Sequence, residues 1–136
     1  MLGVNPYITF KGDCKAAIEF YKSALDAELI FMQTMGESPM PDMGPADYVM
    51  HATIKVGESM IMMSDDPRPE GGKVGGNISL AIGLNDAVKA KQFFDNLSQG
   101  GTVIMPLTKT YWAEAFGMLT DKFGTSWMIN CDAPKQ

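Results

Sequence analysis

The chain is poor in the residues that build closed metal and disulfide frameworks. It has one histidine, His51, and two cysteines, Cys14 and Cys131. One imidazole and two thiols cannot complete a four-ligand structural zinc site of the Cys/His kind. Two cysteines make no disulfide scaffold, so a reducing, cytoplasmic setting is the expectation. Basic charge is also scarce: the formal net charge is −5, and no Lys/Arg cluster offers a nucleic-acid footprint. No apolar run approaches the roughly eighteen residues that a membrane span requires. The opening residues "MLGVNPYITF" lack the basic region and long apolar core of a signal peptide. A glycine-rich turn of the dinucleotide type is missing as well, because "GGKVGG" (71–76) does not follow G-x-G-x-x-G. What remains is a chain with 46% apolar residues, of a size for one domain or two small halves, and twelve methionines.

The chain also says one thing twice. "GESMIMMSDD" (57–66) and "GTSWMINCDA" (124–133) match at an offset of 67, and the match extends upstream to "YVMHATIKV" over "AFGMLTDKF". Five of the nineteen aligned positions are identical, where composition alone gives about one. Two helical stripes repeat at an offset of 73. Ala17, Phe20, Tyr21 and Ala24 fall at i, i+3, i+4, i+7, and so do Ala90, Phe93, Phe94 and Leu97. Asp13 stands ready to cap the first helix, and Asn85 or Asp86 the second, with Gly100-Gly101 to end it. The change of offset places extra residues in the Gly/Pro/Met-rich loop "GESPMPDMGPAD" (36–47).

Each half therefore predicts strand, helix, strand, strand, strand. Module one covers 1–65, a Pro/Gly linker covers 66–77, and module two covers 77–132. A single such sheet cannot bury both faces. Two side by side can, with helices outside and a shared cleft inside. The expected class is α+β, built of paired βαβββ modules.

Three stretches carry a further likeness: "NPYITFKGDCKAAIEFY" (5–21), "MHATIKVGESMIMMSD" (50–65) and "YWAEAFGMLTDKFGTSWMIN" (111–130). They resemble the PhnB-like branch of the vicinal oxygen chelate superfamily, which includes glyoxalase I, extradiol dioxygenases and bleomycin and fosfomycin resistance proteins. The resemblance implies the paired-module fold, a homodimer and a small-molecule ligand, with no nucleic-acid or membrane partner. Members labelled 3-demethylubiquinone-9 3-methyltransferase occur in this branch. Metal-dependent members hold a divalent ion with His, Glu or Gln from the first and last strands of each half. Mapped onto this chain, those positions fall at or near Pro6, on Ile61 or Met62, on Asn77, and on Met128 or Ile129. Thioether and alkyl groups suit such ions poorly, so no cofactor is expected and no metal ligand is assigned.

Candidate cleft residues are Tyr7, His51, Met62, Asp65, Trp112 and Met128. His51 shares a strand face with Val49, Thr53 and Lys55; it is either a polar group lining the cleft or a half-exposed strand residue. Asp65 and Asp132 end matching strands, where a carboxylate either holds a ligand or caps the next turn. Tyr7, Tyr111 and Trp112 could stack on a ligand, whereas Trp127, in mid-strand, reads as core. Cys14, in the first helical turn, is placed where the dipole favours a thiolate, yet it has no visible partner and reads as structural. Met40 and Met43 make the 36–47 loop a candidate lid. Sequestration of a ligand without chemistry is the leading function. A metal-dependent lyase or dioxygenase with altered ligands, or a metal-free enzyme using His51 and Asp65, is the alternative, and a scaffold with a vestigial cleft is a third.

Overall fold

The computed structural model describes residues 3–39, 44–68 and 77–132. The chain divides into two compact units, Met1–Lys73 and Val74–Gln136. The first contains β1 (Tyr7–Phe10), α1 (Cys14–Leu25), β2 (Glu28–Thr34), β3 (Val49–Val56) and β4 (Ser59–Asp65). The second contains β5 (Leu80–Leu84), α2 (Ala87–Ser98), β6 (Thr102–Thr108), β7 (Ala115–Thr120) and β8 (Ser126–Cys131). The sheet orders are β1-β4-β3-β2 and β5-β8-β7-β6, with β1–β4 and β5–β8 parallel and the other pairs antiparallel. The α+β class and the two βαβββ modules are thus present.

The helical periodicity is right, with one rotation. Ala17, Tyr21 and Ala24 are buried as predicted, but Ile18 rather than Phe20 completes the stripe with them. In α2 the buried residues are Ala90, Phe94 and Leu97. Each helix covers one face of its own sheet. Under α1 that face presents Ala52, Ile54, Ile61 and Met63, all buried. Under α2, Gly117 lets β7 approach closely: a Cβ there would lie 2.6 Å from the Phe94 ring.

The register of the repeat needs correction. A constant offset of 67 sets Met62 over Ile129. Met62 pairs with Tyr7 and Thr53 and alternates with buried Ile61 and Met63, whereas Ile129 is itself buried under α2. The residue that pairs with Ala81 and Met118 and alternates with buried Trp127 and Ile129 is Met128. Met62 therefore corresponds to Met128, one residue less than the identities imply, and Cys131, not Asp132, stands where Asp65 stands. On β3 and β7 the slip is larger still, since Thr53 matches Met118, and the longer second turn restores one residue of it. The β3–β4 hairpin closes between Val56 and Ser59, but β7–β8 closes between Thr120 and Ser126. The longer turn is built on Asp121, whose Oδ1 accepts the amides of Phe123 and Thr125 at 2.9 and 3.0 Å and whose Oδ2 accepts the Trp127 indole N–H at 2.9 Å. Matching glycines with positive φ, Gly57 and Gly124, keep the turns alike in sequence while the strands beyond them slip.

Candidate functional site

Each sheet turns a second face away from its helix. In the first unit one row crosses that open face: Tyr7 on β1, Met62 on β4, Thr53 on β3 and Phe31 on β2. His51 stands two residues along β3, on the same face. The Tyr7 hydroxyl lies 3.3 Å from His51 Nδ1, and the Thr53 hydroxyl lies 3.4 Å from Nε2. The imidazole sits between two aromatic rings, with centroids 5.7 Å away at Tyr7 and 6.1 Å away at Phe31. Tyr7, His51 and Met62 thus come together. Thr53 and Phe31 complete the cluster and were missed from sequence. Thr53 shares the strand parity of His51 and was legible. Phe31 was not, because a register irregularity between Leu29 and Phe31 sets its side chain.

The matching row of the second unit is Ala81, Met128, Met118 and Met105. It carries no titratable group. Phe116 is its neighbour on β7, and Trp112 packs on Phe116 edge to face with ring centroids 5.3 Å apart. Tyr111 continues the chain of rings 4.8 Å from Trp112 and is 96% exposed. Trp127, by contrast, is core, fixed by its bond to Asp121.

Asp65 lies on the other face of the first sheet. Its Oδ1 accepts the amides of Gly12 at 2.8 Å and Cys14 at 3.0 Å, and its Oδ2 accepts the amide of Val49 at 2.8 Å. It caps α1 from a distance, whereas the predicted cap, Asp13, makes no side-chain cap bond. The structure does not bring Asp65 together with His51, Tyr7 and Met62. Cys14, read as structural, is buried. Burial first, and then the negative charge of Asp65, push that thiol up to about 12. Cys131 is likewise raised, chiefly by burial and then by Glu114.

The superfamily's divalent ion can be tested against the donors present. Its expected positions hold Pro6, Met62, Asn77 and Met128, and of these only the Asn amide is a reasonable donor. Among the described residues no three His, Cys, Asp or Glu side chains group to hold an ion. These residues do not fit that metal. Met40 and Met43 of the loop lie outside the described residues. Its described ends are tied together, with the Met35 amide donating to Tyr48 O at 2.8 Å and the Gly36 amide to Ala46 O at 2.9 Å. No helix among the described residues is long and apolar enough to cross a membrane.

Comparison with known proteins agrees with this architecture. Protein YjdN of Escherichia coli strain K12 is 35% identical, covering 93% of this chain and 93% of its own. A crystal structure of protein PA1353 from Pseudomonas aeruginosa is 36% identical and superposes with a TM-score of 0.89, covering 98% of this chain and 100% of that one. A putative 3-demethylubiquinone-9 3-methyltransferase, PhnB protein, from Bacillus cereus shares the fold at 24% identity, with a TM-score of 0.83 over 96% of this chain and 99% of that one. The family model for the Glyoxalase/Bleomycin resistance protein/Dioxygenase superfamily matches residues 3–129, and the chain belongs to that superfamily.

Proposed function

We propose that this protein binds a small, partly apolar molecule on the open faces of its sheets, without the metal of its superfamily. The observation that carries this reading is the pair of rows Tyr7–Met62–Thr53–Phe31 and Ala81–Met128–Met118–Met105. Both are rich in soft or aromatic side chains, and only the first carries hydroxyls beside an imidazole. Binding sites are mostly apolar with a few placed polar groups, and methionines adapt to varied ligands.

The reading is tested by labelling the methionine methyl groups with carbon-13 and screening a fragment library by NMR. Binders should shift Met62, Met118 or Met128 ahead of Met63, which lies buried under α1. A library with no binder, or binders that move Met63 and leave the open-face methionines still, would refute the proposal.

A further inference from the structure

We infer that the Tyr7–His51–Thr53 cluster recognises the acid group of a small organic anion with an apolar body, and that His51 binds it as an imidazolium, taking up one proton from water as the ligand enters. This rests on the small-molecule reading above and names the ligand class for its first face.

The argument begins with the two hydroxyls. A hydroxyl both donates and accepts, and its hydrogen rotates to suit. Flanked by Tyr7 Oη and Thr53 Oγ1, the ring keeps two partners in either state. Neutral, it donates from one nitrogen and accepts at the other. Protonated, it donates from both. Charging this ring therefore orphans no buried polar group, the usual obstacle to charging a half-buried imidazole. The separations of 3.3 and 3.4 Å are long for such bonds. They leave the ring slack enough to turn a nitrogen towards a ligand, as site hydrogen bonds often tighten only when the ligand is present.

The rings of Tyr7 and Phe31 add to this. They lie beside the imidazole and offer the ligand's body an apolar surface. The neighbouring charges fit as well. Lys55 follows on β3 and pairs across the sheet with Glu28 of β2. Glu37, just past β2, is engaged with Thr34, which holds its carboxyl below the usual range. On β4, Asp65 faces the helix side with its oxygens on backbone amides. Gln33, the residue of β2 that pairs with His51, is neutral. No described carboxylate is placed to take the anion's role beside His51, so an incoming acid supplies it. The proton balance is simple: neutral imidazole, one proton from solvent and one carboxylate give an imidazolium–carboxylate pair.

Because His51 is the only histidine, its imidazole proton signals stand alone in an NMR titration of the intact chain. The probes are benzoate, cyclohexanecarboxylate and the neutral isostere benzamide. Saturating benzoate or cyclohexanecarboxylate should raise the pH midpoint of the His51 signals by about half a unit or more, and benzamide should not. Calorimetry of benzoate binding in buffers of different ionisation heat should show net proton uptake above the midpoint. Tyr7→Phe and Thr53→Val should each weaken benzoate by roughly three- to tenfold, while Thr53→Ser, which keeps the hydroxyl, binds like the parent. Equal binding of benzoate and benzamide, or carboxylates that leave the His51 midpoint unmoved, would overturn the inference. If benzamide alone shifts the Met62 methyl signal, small-molecule binding stands and the anion site falls. If none of the three probes disturbs His51 or Met62, the site falls with the reading of this face.

Discussion

At the scale of single residues, position in a sheet decides what a polar group does. Asp65 and His51 occupy neighbouring strands on opposite faces. One is turned towards a helix end and the other away from it. Asp65 satisfies three amides from two separate segments, those of Gly12 and Cys14 at the start of α1 and that of Val49 on β3. An orphaned buried donor costs about 1–3 kcal/mol, so Asp65→Ala should lower stability by roughly 3 kcal/mol or more, with Asp65→Asn between it and the parent. Urea unfolding checks this, and a loss under about 1 kcal/mol would mean that water replaces the carboxylate. Cys14 gives a pH signature. Its thiol is raised to about 12 in the folded chain and ionises near 9 when unfolded. Its contribution is thus fully present below pH 9. It declines between pH 9 and 12, by at most about 1.4 kcal/mol per unit, because only the unfolded thiol releases its proton there. Comparing the parent with Cys14→Ala at pH 8, 9 and 10 isolates this slope from those of Tyr and Lys. Parallel curves for the two proteins would show that the thiol is better solvated than its burial implies.

At the scale of elements, the helices were legible and the strand registers were not. A 3.6-residue stripe is a property of one segment, so Ala17, Tyr21 and Ala24 could be read directly. A register belongs to two strands and the turn between them. Five identities suggested one constant offset, but β7 and β8 stand at different offsets from β3 and β4, because the Asp121 turn lengthens the second hairpin between them. A slip of one exchanges faces, which is why Met62 was matched with a core isoleucine. The same limit hid Phe31, whose partner Thr53 follows a bulge. Gly117 shows what the sequence held without advertising it. A methyl group there meets the Phe94 ring at 2.6 Å and the Leu107 Cα at 3.0 Å. Phe94 is buried and the second neighbour is backbone, so neither yields cheaply. Gly117→Ala should cost about 1–3 kcal/mol by overpacking and separate α2 from β7. A melting temperature within a degree of the parent's would show that α2 shifts freely.

At the scale of the whole molecule, the chain keeps the fold of its superfamily while the residues at the expected metal positions do not fit a divalent ion. The fold was readable because duplication and periodicity are written along the chain. The misfit to a metal rests on donor chemistry, because Pro6, Met62 and Met128 offer a hard or borderline ion no good ligand. The expectation that no divalent metal binds there follows from donor chemistry. Zn²⁺, Ni²⁺, Mn²⁺ or Fe²⁺ needs three or four converging N, O or S⁻ ligands, with water filling only the remainder. His51 could supply one, but its nitrogens face Tyr7 and Thr53 rather than a second carboxylate or imidazole. Asp65 could supply another only by releasing the Gly12, Cys14 and Val49 amides, which undoes the cap of α1. A metal held only by the native state raises stability by about 2.7 kcal/mol at a hundredfold over its dissociation constant. On a chain this small that is a melting shift of several degrees. Chelator-treated protein should therefore melt at the same temperature with or without each of the four ions, and the untreated protein should carry less than a tenth of an equivalent of metal by elemental analysis. A stabilisation by one ion that survives in the parent and disappears in His51→Ala would place a metal on the very residue assigned here to an organic anion, and would restore a metal-dependent reaction as the function of this chain.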